Sequence, residues 1–103
     1  MKILERLIQQ IRPDKWAELE ALDKRYDVVE SRLGFPPKRR YRCMTGGHGT
    51  NTLVIEREWA SLAAMEETYG KSYADAENQA LNAESASIVE DNQSELYWVL
   101  PYQ

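Results

Sequence analysis

A chain of 103 residues with 13 Lys and Arg against 17 Asp and Glu carries a formal net charge of −4. That length holds a single domain, 1–103, with one core, and the acidic balance excludes the basic stripe on which nucleic-acid binding depends. One cysteine, Cys43, rules out an internal disulfide and points to a reducing, cytoplasmic setting, while no apolar run approaches the length of a membrane span.

The hydrophobic period changes along the chain in the order strand, helix, strand, strand, helices, strand. Lys2 to Ile11 reads as a strand. Ile3, Leu7 and Ile11 compete with Leu4 and Ile8 for its buried side, so the facing of Glu5 and Arg6 stays open. Pro13 ends the strand by removing an amide donor, and Asp14 is the expected helix cap. Trp16, Leu19, Leu22, Tyr26, Val29 and Leu33 then recur at helical spacing within a stripe about 140° wide. Glu20 and Lys24 stand four apart on the outer side. Gly34, Phe35 and Pro36-Pro37 give this helix a left-handed stop that cannot be continued.

Tyr41 to Met44 and Thr52 to Trp59 flank the turn Gly46-Gly47-His48-Gly49-Thr50-Asn51, a hairpin signature. Symmetric pairing about that turn puts Arg40, Arg42, Val54, Glu56 and Glu58 on one face. Tyr41, Cys43, Leu53, Ile55 and Trp59 fall on the helix-facing side. Ser61 then caps a helix bearing Leu62, Met65, Tyr69 and Tyr73, which Gly70 should weaken or break. Ser72 to Asp75 reads as a capping box for a second helix, with Ala76, Ala80, Ala83 and Ser87 as its close-packing stripe. Leu96 to Leu100 reads as the last strand. The order βαββαβ, with a split second helical region, predicts an α+β, ferredoxin-like fold with a four-stranded antiparallel sheet and helices on one face.

Three short segments resemble the dimeric α/β-barrel superfamily, which includes NIPSNAP-like proteins and antibiotic-biosynthesis monooxygenases. They are Glu5-Arg6 in the first strand, the junction Ile11-Arg12-Pro13-Asp14-Lys15, and Glu58-Trp59-Ala60-Ser61-Leu62 at the third strand's exit. Asp14 stands where the NIPSNAP-like junction has glycine. The resemblance covers most of the chain as a pattern, and it implies a two-fold homodimer whose sheets face each other across a small cavity. It does not carry over catalytic residues. The first strand holds Gln9 and Gln10 but no asparagine, and the second helical region has no histidine, so the haem-degrading set is missing. Trp59, Tyr97 and Trp98 supply aromatics such as cofactor-free oxygenases use, without an identifiable amide partner.

Several residues bear chemistry. His48 among glycines is either a proton donor beside exposed amides or part of a plain turn, and the plain turn is the simpler reading. Lys38, Arg39, Arg40 and Arg42 form the one basic cluster, suited to steering an anion or to guarding an edge strand. Glu56 and Glu58 alternate on one strand face, with Arg40 and Arg42 expected opposite them as ion-pair partners. Cys43 reads as a small buried hydrophobe. Arg40, Arg42, Glu56, Glu58, His48 and Trp98 are therefore the candidate ligand-binding residues. No metal, haem or other cofactor is called for. The expectation is a homodimer joined through its sheet faces that binds a small apolar or aromatic ligand. The alternatives are a cofactor-independent oxygenase acting on an aromatic substrate, or a structural or regulatory dimer whose barrel is filled by its own side chains.

Overall fold

A computed structural model describes residues 1–102. The elements run β1 (Ile3–Ile11), α1 (Trp16–Leu33), β2 (Arg39–Arg42), β3 (Thr52–Trp59), α2 (Leu62–Ala74), α3 (Ala76–Ser85) and β4 (Val89–Trp98). The sheet order is β2-β3-β1-β4, and β1 runs antiparallel to both of its neighbours. This is the α+β, ferredoxin-like arrangement that the period changes predict, with the helices on one face. No helix is long and apolar enough to cross a membrane.

Helix α1 is anchored by Leu19, Leu22 and Val29, which are buried, with Trp16, Tyr26 and Leu33 packed against the same core. Each such buried side chain contributes about 1.5–3 kcal/mol by leaving water. Gly34 ends the helix at φ 90°, donating to Ser31, while Phe35 donates to Glu30. This is the reciprocal pair of bonds that closes a left-handed stop. The start differs from expectation, because Lys15 occupies the cap position and no side chain caps the helix. Glu20 turns away from Lys24 to meet Arg40 at 2.7 Å.

The two shorter helices divide later than the sequence suggests. Gly70 does not break α2, which continues to Ala74. Asp75 both closes α2 and opens α3, its carboxylate accepting from the Asn78 amide at 2.9 Å, so Asp75 rather than Ser72 is the cap. The small-residue stripe of Ala76, Ala80 and Ala83 is exposed. Asn78 and Leu81 turn inward instead, with Ile88 beyond the helix.

The hairpin register is one residue off the facing expected for Arg40 and Arg42. Arg40 lies opposite Ile55, and Arg42 opposite Leu53. Strand side chains alternate, so this slip moves every β2 side chain to the other face. Arg40 and Arg42 therefore face α1, and Arg39 and Tyr41 share the open face with Glu56 and Val54. The physical reason is α1 itself. Arg40 reaches Glu20 and Asp23 at 2.7 and 2.8 Å, and Arg42 stacks on Trp16 with its guanidinium carbon 4.0 Å from the ring centre. Glu56 and Glu58 pair with Arg6 and Lys2 instead.

Strand β4 begins at Val89, seven residues ahead of the expected Leu96, as an edge strand wet on both sides. The facing of β1 is settled as well. Ile3, Glu5, Leu7, Gln9 and Ile11 line up with β3's helix-facing Trp59, Arg57, Ile55 and Leu53, while Leu4, Arg6 and Ile8 fall on the open face.

Two glycines should respond oppositely to alanine. Gly34→Ala forces a Cβ into the left-handed region and should cost about 1 kcal/mol. Gly70→Ala meets open space at an ordinary helical position and should stabilise by about 0.5–1 kcal/mol. Denaturant titration of both variants checks the pair of signs.

Candidate functional site

A half-open cavity of about 710 Å³ lies between the helices and the inner face of the sheet. Its strand wall is built from Glu5, Leu7 and Gln9 of β1 and from Asn92, Ser94 and Leu96 of β4. Helix α2 closes the opposite side with Met65, Tyr69 and Tyr73, and α1 supplies Leu19 and Leu22. The cavity exists because two strand positions that would normally hold core residues are charged. Glu5 and Arg57 are direct register partners on the two central strands, and both are about 95% buried.

Neither charge pairs with the other. The Glu5 carboxylate accepts from Trp59 Nε1 at 3.0 Å and from the Tyr69 hydroxyl at 2.5 Å. It is thus a buried carboxylate held by two neutral donors. Burial, and then the bond to Glu5, pushes the Tyr69 phenol well above its ordinary pKa, so Tyr69 stays protonated and keeps an oxygen lone pair for a ligand. Phe35 packs edge-on to both Tyr69 and Trp59, with ring centres 5.1 and 5.6 Å apart. The carboxylate sits at the end of an aromatic cluster.

Arg57 turns to α1. Its guanidinium meets Glu30 at 2.6 Å and covers the Phe35 ring at 4.9 Å. The same Glu30 oxygen accepts from Lys38 at 3.1 Å, and Lys38 also reaches Asp27 at 3.2 Å. One glutamate therefore holds two cations whose side chains are only 3% and 7% exposed. Further along α1, Asp23 lies 2.8 Å from Arg40, yet burial pushes its carboxyl pKa up despite the nearby Arg40 and Lys38. Tyr26 is pushed up to about 12 by burial and donates to Asn82 at 2.6 Å.

The sequence candidates do not assemble here. None of Arg40, Arg42, Glu56, Glu58, His48 and Trp98 lines the cavity. Arg40 and Arg42 brace α1 and the hairpin turn, Arg42 donating to the Thr50 carbonyl at 2.7 Å and to Asn51 at 3.1 Å. Glu56 lies on the open face, 2.8 Å from Arg6, and Glu58 is exposed beside Lys2. His48 is exposed in the turn, and its carbonyl lies 2.7 Å from the Thr52 hydroxyl. Trp98 is 61% exposed at the end of β4. Cys43 is half-buried, its thiol 3.3 Å from the Thr45 carbonyl. Among the described residues no three His, Cys, Asp or Glu side chains are grouped to hold a metal.

The residues that do assemble left a faint signal in the sequence. Ile3-Glu5-Leu7-Gln9-Ile11 alternates apolar and polar residues along one strand face. That pattern marks a face that buries its polar side chains only if something answers them.

No family model matches this chain, and no curated protein matches its sequence. Solved structures do match its fold. A NIPSNAP family protein from Agrobacterium tumefaciens superposes with a TM-score of 0.84 at 20% identity, over 99% of this chain and 89% of that one. An uncharacterised NIPSNAP-like domain protein from Burkholderia xenovorans gives 0.81 at 15% identity, over 99% and 88%. A mutant of SnoaB, a cofactor-independent oxygenase from Streptomyces nogalater, gives 0.71 at 14% identity, over 98% and 95%. The chain has the fold of these NIPSNAP and oxygenase structures, as the three sequence segments imply.

Two substitutions probe the charges around the cavity. Glu30→Ala leaves Arg57 and Lys38 buried without their shared partner and should destabilise by about 3–5 kcal/mol, read by denaturant titration. Asp23 gives a pH signature. Its raised folded pKa means that the native state keeps the proton longer than the unfolded chain, so wild-type stability falls as pH rises through and above about 4. Asp23→Asn carries no such group. Its melting midpoint should gain on the wild type between pH 4 and 7, and a difference independent of pH would remove the assignment.

Proposed function

We propose that this protein is a homodimer that binds a small apolar or aromatic molecule in the cavity between helices and sheet of each protomer. The cavity itself carries the reading. Its volume falls within the range of small-molecule sites, roughly 300–1,000 Å³, and it joins apolar walls to a few converging polar groups. Leu7, Leu22 and Ile55 offer a dry wall, Tyr69 and Tyr73 offer ring faces, and Asn92 and Ser94 offer polar contacts toward the mouth. This moves the ligand from the space between two sheets, where the resemblance to the dimeric α/β-barrel superfamily implies it, to the space between helices and sheet of each protomer.

The open sheet face supports self-association. Half-buried Leu4 and Val54 run along its centre beside Ile8, which is already buried, and are flanked by Tyr41 and Tyr97, which are 48% and 41% exposed. The charges at the centre of this face, Arg6 and Glu56, answer each other within the protomer. Arg6 meets Glu56 twice, at 3.0 and 2.8 Å, and lies over the Tyr97 ring at 5.3 Å. A second copy covering the face would desolvate charges that are already paired, which lowers the cost of burying them. The reducing setting implied by the lone cysteine supports a cytoplasmic protein.

A second reading is a cofactor-independent oxygenase acting on an aromatic substrate. It is supported by the likeness to SnoaB together with a carboxylate–tyrosine pair placed to accept a substrate proton inside a cavity. Oxygen uptake with phenolic compounds that bind the cavity tests it directly.

Two measurements test the main reading. The uncharged fluorophore N-phenylnaphthylamine should bind once per protomer with blue-shifted emission. Ser94→Trp, which places an indole in the mouth, should abolish that signal, and unchanged binding would put the probe elsewhere. Sedimentation should give a two-protomer mass at micromolar concentration. Arg6→Ala, which frees Glu56 on the covered face, should shift the species toward monomer, and a wild-type monomer throughout a dilution series would remove the dimer.

A further inference from the structure

The cavity looks at first like an anion site, because Arg57 and Lys38 both line it. Their partners reverse that impression. Arg57 is held by Glu30 at 2.6 Å, and Lys38 by Glu30 and Asp27 at 3.1 and 3.2 Å. Each cation thus has its charge answered by a carboxylate, although Arg57 Nε is buried without a hydrogen-bond partner of its own. The remaining ionisable carboxyls of the wall are Glu5, held only by the neutral donors Trp59 and Tyr69, together with Asp23 and, at the exposed rim, Glu66. The wall thus presents four acidic side chains against two basic ones, each basic one already facing a carboxylate, while Arg40 answers Asp23 from outside the wall. An anion entering here would lose its water, gain no free cation, and stand beside a buried carboxylate.

Resting on the cavity reading above, we infer that the site takes uncharged ligands and refuses anions, and that Glu30 is the residue that sets this specificity by neutralising Arg57 and Lys38 together. The ligand class is a neutral, largely aromatic molecule bearing at least one hydrogen-bond donor. The walls are apolar and aromatic, and the polar group at the inner end, the Tyr69 hydroxyl, already spends its proton on Glu5 and has only its lone pair left to offer. Glu30 is suited to the role by position. It lies in the last turn of α1, between β3's Arg57 and the Lys38 that precedes β2, so one side chain reaches both cations across the gap between helix and sheet. Its removal would leave two buried positive charges facing the cavity with only Asp27, at the solvent end of Lys38, to answer them.

The test is a matched pair of probes with nearly the same aromatic body, the neutral N-phenylnaphthylamine and the anionic anilinonaphthalenesulfonate. Both are titrated against the full chain, with Ser94→Trp run in parallel to subtract binding outside the cavity. The wild type should prefer the neutral probe by about tenfold or more. Glu30→Gln should shrink that preference by about tenfold or reverse it, through tighter binding of the sulfonate. Asp27→Asn, which removes the second partner of Lys38 and leaves the buried Glu30 contacts intact, should move the ratio the same way by a smaller factor. If Glu30→Gln does not fold, the wild-type ratio and the Asp27→Asn shift decide the matter. Equal affinity of the wild type for the two probes, or a ratio unchanged in the variants, would overturn the inference while leaving the cavity as a binding site. Failure of both probes to bind in a manner sensitive to Ser94→Trp would overturn the cavity reading and this inference with it.

Discussion

The structure depends on one constraint: two charged residues, Glu5 and Arg57, occupy neighbouring positions on the two central strands, on the face that the helices cover. A charge in that position must be answered or it costs several kcal/mol. The answers come from opposite directions. Glu5 is met from α2 by Tyr69 and from its own sheet by Trp59, and Arg57 is met from α1 by Glu30. These contacts tie α2 and α1 to the two central strands through polar groups where apolar packing would otherwise run. The continuous apolar core, built on Ile11, Leu19, Leu53, Ile55, Leu81 and Ile88, then forms to one side of the gap. The cavity is what remains where hydrophobic collapse was interrupted by polar geometry.

The architecture was legible in the sequence wherever a residue had one physical use. Trp16 through Leu33 can only be a helix with one buried stripe, and Gly34 before Phe35-Pro36-Pro37 can only end it. The C-terminal end of α1 and both ends of β3 follow from such residues, while the start of α1 lacks the Asp14 cap that the sequence offers. The misreadings fall where two uses compete. The register of β2 turned on whether Arg40 and Arg42 would seek Glu56 and Glu58 across the hairpin or Glu20, Asp23 and Trp16 on α1. The hairpin choice keeps charges on the wet face, and local patterning favours it. The helix choice won through a bidentate contact to Glu20 and a stacking contact to Trp16, both long-range in sequence. The sequence shows only the end of β4, because Glu90 through Glu95 has no alternation, as suits a solvent-exposed edge strand.

The site was harder to read than the fold for a related reason. Its residues come from six separate elements, and each has an ordinary structural use when taken alone. Tyr69 continues an apolar stripe, Glu30 and Lys38 look like surface charges, and Glu5 looks like one more acid on an ambiguous strand. Only the sheet register, by setting Glu5 beside Arg57, shows that they answer one another.

The position of β1 also bears on how this chain comes to exist. Its first strand lies between β3 and β4, and Ile3 pairs on one edge with Trp59 and on the other with Trp98. Neither edge has a neighbour nearby in the chain, so few of the sheet's contacts are local, and closing these long loops makes folding slow for a domain of this size. On the ribosome β1 emerges before either of its partners and is completed only when β4 arrives. Until β4 has been made, its outer edge offers a row of unpaired amides and carbonyls to any extended segment that meets it. The charges of Glu5 and Arg6 in that strand are then a protection during synthesis, before either has met the partner it keeps in the finished fold.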